Sequence, residues 1–137
     1  MIRAALVALL CCLQFAAARM ARCAEQGDYA VSLGHGYELV RANSHEIFIS
    51  DSSQHVIIPG KISKYAIVKR WVVGYVGIPD WNDPEAKKLF SDVTEGYFLL
   101  DTSTNKVLLG LTAENLTKEL NKRGISTQPT LEAPRHP

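Results

Sequence analysis

The chain has 137 residues, 47% of them hydrophobic and 21% charged, with a formal net charge of +1. That balance excludes a disordered chain and a strongly basic nucleic-acid binder, and it leaves room for one modest domain with an appendage. The three cysteines, Cys11, Cys12 and Cys23, all stand near the start, so a disulfide framework or a cysteine-ligated zinc site further along is excluded as well.

Residues 1–24 read as a cleaved signal peptide. Arg3 supplies a short positive lead, Ala4-Ala5-Leu6-Val7-Ala8-Leu9-Leu10-Cys11-Cys12-Leu13 an apolar core, and Ala16-Ala17-Ala18 the small residues that a signal peptidase requires. The apolar run of about 15 residues is short of the roughly 20 needed to span a bilayer. Lipidation of a cysteine is the alternative, disfavoured because neither Leu10 nor Arg22 is small. The mature chain is expected to begin between Arg19 and Glu25, free of the membrane, in the periplasm or outside the cell. From Glu25 onward 12 Lys+Arg face 14 Asp+Glu, a net charge of about −2. Lys61, Lys64, Lys69 and Arg70 read as solvated strand residues, and no nucleic acid is expected as a partner.

Residues 25–125 form the predicted domain. A lead-in with a short strand at 29–33 precedes strands at 37–42 and 45–50, which are separated by the turn pair Asn43-Ser44. Asp51-Ser52-Ser53-Gln54 makes the next turn, residues 55–58 a strand, and Pro59-Gly60 a break. Residues 62–68 and 71–77 read as two strands reversing near Lys69-Arg70, with one long bent strand as the alternative. After a loop, Asp83-Pro84-Glu85 starts a short helix, with an acid cap and a proline where no N–H is needed. Strands at 96–101 and 106–110 flank a hairpin turn, and Thr112 caps a helix that Gly124 stops, with Ala113, Leu116 and Leu120 on one stripe. The fold expected is α+β: an antiparallel meander of about six strands with a C-terminal helix packed on one face. Residues 126–137, with three prolines and no apolar period, are expected to be a disordered tail.

A two-residue turn at Asn43-Ser44 sets Val40 opposite Ile47, Tyr37 opposite Ser50 and Arg41 opposite Glu46. In that register Val40, Ala42, Ile47, Ile49, Val56 and Ile58 share one face, and Tyr37, Leu39, Phe48 and Ile57 the other. Both faces are then apolar, and both need cover. The C-terminal helix covers one. Residues 78–93 with the lead-in, a partner protein or a second copy would cover the other.

Histidines 35, 45 and 55 stand ten apart. His45 lies about 16 Å from His55 along the strands, too far to share an ion. His35, Asp51 and His55, on neighbouring loops, are the candidate metal ligands; as ordinary turn residues they need no metal. Trp71, inside a strand, reads as core. Trp81, in Pro79-Asp80-Trp81-Asn82-Asp83, is either a lid folded back over the sheet or the exposed loop tryptophan of an interface, and in the second reading Trp81, Asp80 and Asp83 are the candidate partner-binding residues. Serines near His45 and His55 lack a nucleophile elbow, and Asp80, Asp83, Glu85, Asp92 and Glu95 read as helix-start and solvated acids. No catalytic residue and no cofactor is expected.

The layout of residues 37–43, Gly74-Tyr75-Val76, Tyr97-Phe98-Leu99-Leu100-Asp101-Thr102, residues 107–111 and a closing helix resembles small exported bacterial domains of unknown function. Some of these share their sheet-plus-helix form with secreted inhibitor and immunity-type proteins, which act by binding and lend no catalytic residue. The resemblance implies an exported, non-enzymatic protein-binding domain whose partner is another protein or a second copy. The alternative is a small-ligand or metal-binding periplasmic module using His35, Asp51 and His55.

Overall fold

The structure is a computed structural model that describes residues 28–78, 84, 88 and 91–137. Among them are β1 (Tyr29–Gly34), β2 (Tyr37–Arg41), β3 (Ile47–Ser50), β4 (Val56–Ile58), β5 (Lys61–Val68), β6 (Trp71–Gly77), β7 (Gly96–Asp101), β8 (Lys106–Leu111) and α1 (Ala113–Lys122). The leader, the loop bearing Trp81 and most of the short helix expected after it lie outside the described residues.

The α+β class holds, but among the described residues all eight strand segments join one mixed sheet where an antiparallel meander of about six was expected. Its order is β1-β2-β3-β5-β6-β7-β8, with β4 paired to β3 off that path. Every pairing is antiparallel except β3 with β5, which meet in parallel at Ile47 and Lys61. The chain turns this corner at Pro59-Gly60, where Gly60 has φ +118°. A side chain there would collide with Val76 and Val93, each 2.8 Å from an added Cβ, so the corner requires glycine.

The predicted register of β2 and β3 is wrong by one residue, and the turn explains why. The loop holds three residues, 43–45, not two: the amide of Ala42 donates to the carbonyl of Glu46 at 3.0 Å. Asn43 builds it, its Oδ1 accepting from the amides of His45 and Glu46, both at 2.8 Å. Leu39 therefore faces Ile49, Val40 faces Phe48, and Arg41 faces Ile47 instead of Glu46. Because side chains alternate with period two, this slip re-sorts both faces. Tyr37, Leu39, Ile47 and Ile49 now share one face and are all buried, while Val40 and Phe48 on the other are only half-buried.

That buried face is covered by the sheet itself. Leu33, Tyr37, Leu39, Ile47, Ile49 and Ile58 from β1–β4 form one core cluster with Ile62, Val72, Val76, Phe98 and Leu100 from β5–β7. The sheet curls until its halves face each other, neither a partner nor a second copy being needed there. Val93, from the segment 78–93, and Tyr29 and Val31, from the lead-in, pack at its margin. The opposite face of β6 and β7 carries Val73 and Leu99, which α1 covers with Leu116 and Leu120 as predicted. Thr112 caps the helix by accepting from the amide of Asn115 at 3.2 Å, and Gly124 follows its end at φ +76°.

Residues 126–137 differ from expectation. They hold no regular element, yet they dock: Glu132 bridges to Tyr65 of β5, and Leu131 packs on the α1-side core.

In the curled sheet the missing side chain of Gly74 leaves room for the buried ring of Phe98. A Cβ at Gly74 would come 2.6 Å from the Phe98 ring and from the carbonyl oxygen of Lys64. At Gly77 the nearest atom would be 3.7 Å away, an ordinary contact. Gly74→Ala is expected to lower stability by about 3 kcal/mol and Gly77→Ala by less than about 1, read as shifts in urea-unfolding midpoint. Equal effects would contradict this packing.

Candidate functional site

Three turns meet at one end of the sheet, and polar side chains tie them together. Tyr37 donates through its hydroxyl to Oδ1 of Asn105. The Thr102 hydroxyl donates to the carbonyl of Arg70 at 2.9 Å, which leaves its oxygen to accept from Nδ1–H of His35, also at 2.9 Å. These bonds join the β1–β2 turn to the β7–β8 and β5–β6 turns, and so join the two halves of the sheet. Burial pushes the Tyr37 hydroxyl up from its usual range, helped by the charges of Asp51 and Asp101.

The three candidate metal ligands are divided by this arrangement. Asp51 and His55 are brought together, with Nδ1 of His55 3.5 Å from Oδ2 of Asp51. Their work is to shape a turn: Oδ1 of Asp51 accepts from the amides of Ser53 and His55, both at 2.9 Å. The hydrogen bond from the His55 amide is the chief cause holding the Asp51 carboxyl below its usual range. His35 sits on the neighbouring loop, as expected, but its ring turns to Thr102. Among the described residues no group of three His, Cys, Asp or Glu stands close enough to hold a metal ion. Trp81, Asp80 and Asp83 lie outside the described residues.

The most developed surface centres on Trp71, read from sequence as core. It opens β6 directly after the two-residue turn Lys69-Arg70, where Lys69 adopts φ +56°, and it is only half-buried. The guanidinium carbon of Arg70 stands 4.6 Å from the indole centroid. That of Arg123, just past the end of α1, stands 5.1 Å away. Trp71 thus holds cation–π contacts with two arginines from distant parts of the chain.

Both arginines are fixed from behind. Arg123 Nη1 donates to the carbonyl of Glu119 at 2.7 Å and to its Oε2 at 2.6 Å. Lys122 reaches Oε1 of the same carboxylate at 2.7 Å. Hydrogen bonding from Lys122 and then Arg123 holds the Glu119 carboxyl below its usual range. Arg70 lies 3.5 Å from Asp101, which is buried. Burial alone would raise the Asp101 carboxyl, but bonds from the Ser103 hydroxyl and amide, with the charge of Arg70, bring it below its usual range. Lys122 and Arg123 at the C-terminal end of α1 also suit the negative end of the helix dipole.

Two open hollows flank Trp71. One, of about 500 Å³, is lined by Lys69, Arg70, Trp71, Lys122 and Arg123. The other, of about 270 Å³, runs from Trp71 past Thr104 to Lys106 and Leu108. Five cations therefore surround one half-buried indole against two carboxylates, a cationic patch on a domain whose charge downstream of Glu25 is slightly negative. Sequence reasoning missed it. The only trace was that two basic pairs, Lys69-Arg70 and Lys122-Arg123, stand at element ends.

A curled, mixed sheet with α1 on its outer face and a cationic aromatic patch at the end of that helix defines a small α+β domain. The chain belongs to the DUF3997 family, proteins of unknown function, whose family model matches residues 34–135 and so spans every strand after β1, the Trp71 face and most of the docked tail. No curated protein and no solved structure matches the chain significantly.

The lowered Asp101 pKa sets an expectation for acid stability. A carboxyl held below its ordinary value of 3.8 stabilises the fold fully above that value, and the contribution is lost as pH falls through the folded pKa. Between about pH 5 and pH 2 the wild-type melting temperature is expected to fall more steeply than that of Asp101→Asn. Parallel curves would contradict the assignment.

Proposed function

We propose that this chain is an exported, non-enzymatic protein-binding domain, acting on its partner in the manner of an inhibitor or immunity protein, and that the partner sits on the Arg70–Trp71–Arg123 face. The observation that carries this reading is the preorganised stack itself. Tryptophan and arginine are the side chains that most often dominate binding energy, provided they are held in place before the partner arrives. Here Glu119 and Asp101 hold them. The excess of cations selects a partner with an acidic surface and speeds its approach.

Two further observations support the reading. Asp51 and Asp101 are both held below the usual carboxylate range and are committed to turns, which suits structural carboxylates and not proton donors at neutral pH. Export rests on the leader: Arg3, the apolar run 4–13 and Ala16-Ala17-Ala18. No helix among the described residues is long and apolar enough to cross a membrane.

The test uses two baits, wild type and the double variant Arg70→Gln with Arg123→Gln, each passed over an envelope and secreted fraction of the native cell. A protein retained by wild type is expected to bind the variant at least tenfold more weakly, with the melting temperature little changed. Retention of the same protein by both baits, or of none, would overturn the proposal.

A further inference from the structure

We propose that the outer edge of β5 is a strand-acceptor site, which the chain's own C-terminal segment occupies through one residue pair and which an extended segment of a partner protein takes over by displacing that tail. The inference shares with the reading above the premise of a protein partner, but it uses a different surface.

β5 is eight residues long, yet among the described residues the edge away from β6 is met at two places. Near its start Lys61 pairs with Ile47, and in its middle Tyr65 pairs with Glu132. The second pairing is a complete antiparallel exchange: the Tyr65 amide donates to Glu132 at 2.8 Å, and the Glu132 amide donates to Tyr65 at 2.9 Å. An extended chain therefore fits this edge with good geometry.

The tail stops after that one pair, for a reason written in its sequence. Continuing the register would set Thr130 beside Ile67, but Pro129 next to it fixes φ near −65°, far from the extended value. On the other side Pro134, two residues past Glu132, has no N–H to donate. Beyond the bridge the tail returns to β1, where His136 meets the ring of Tyr29 edge-on at 5.5 Å, and between the two it leaves a hollow of about 470 Å³. Its sheet-side walls are Val31 of β1 with Tyr65, Ala66 and Ile67 of β5. Ile67 is 47% exposed there. Leu131 and His136 hold the tail as well, but its one strand pairing and the unfilled hollow beside Ile67 leave room for a strand that pairs along more of this edge. That strand is proline-free, with apolar residues at alternate positions to fill the hollow.

The experiment uses the full chain as wild type and as Glu132→Pro, which removes the tail's only pairing donor. The probes are two peptides: residues 128–137 as they stand, and the same segment with Pro129→Val and Pro134→Val. In the Glu132→Pro chain the Tyr65 amide is expected to lose protection from hydrogen exchange, while the Val72 and Leu100 amides, deep in the sheet, keep theirs. That chain should bind the proline-free peptide at least tenfold more tightly than the natural one, and the peptide should restore protection at Tyr65. Arg70→Gln with Arg123→Gln should leave this affinity unchanged, which separates failure here from failure of the Trp71 reading. Equal affinity for both peptides, no binding of either, or a Tyr65 amide still protected in Glu132→Pro alone would overturn the proposal.

Discussion

Tyr37, Leu39, Ile47 and Ile49 present a continuous apolar face that water must not reach, and the chain meets that demand by curling its second four strands over its first four. Phe98 can lie in the resulting interior because Gly74 yields the space beneath it. The corner at Gly60 reverses the chain between the halves, and the bonds His35–Thr102 and Tyr37–Asn105 tie them at one end. With one face of β6 and β7 committed to this interior, their other face is left to α1. The end of α1 then arrives beside the β5–β6 turn, and Arg123 meets Trp71.

Much of this fold is legible in the sequence. Local chemistry marks the strands, the Lys69-Arg70 reversal, and the helix between Thr112 and Gly124, because turns, caps and alternation act over a few residues. The register between β2 and β3 is not legible in the same way. It hangs on whether Asn43 spans a loop of two residues or three, and both are sound uses of an asparagine. That single residue decides whether the apolar side chains scatter over two faces or gather on one. The parallel contact at Ile47 and the docking of Glu132 on Tyr65 are equally hidden, since both are long-range pairings with no local signature.

The separation of the candidate metal ligands and the assembly of the Trp71 face have the same origin. Proximity of loops was foreseeable: Gly36 lies against Ser52, so the loops of His35 and Asp51 are neighbours. Side-chain direction was not, and the His35 ring points to Thr102. Arg70 and Trp71 are neighbours in the chain, but Arg123 reaches them through the curl of the sheet and the placement of α1. Either kind of site follows from tertiary geometry, which residue spacing alone does not encode. The two surfaces proposed for binding share that origin. One exists where a helix end reaches a turn, the other where, among the described residues, the edge of β5 is left short of a partner strand.

The central claim is that the apolar face of β1–β4 is covered from within the same molecule. A sample mixing labelled and unlabelled copies, read by isotope-filtered nuclear Overhauser spectroscopy, addresses it directly. Contacts between the methyls of Leu39, Ile49 or Ile58 and those of Val72 and Val76 or the ring of Phe98 should appear strongly within one copy and be absent between copies. Their absence within a copy, or their appearance only between copies, would contradict the curled sheet and assign the cover to a partner.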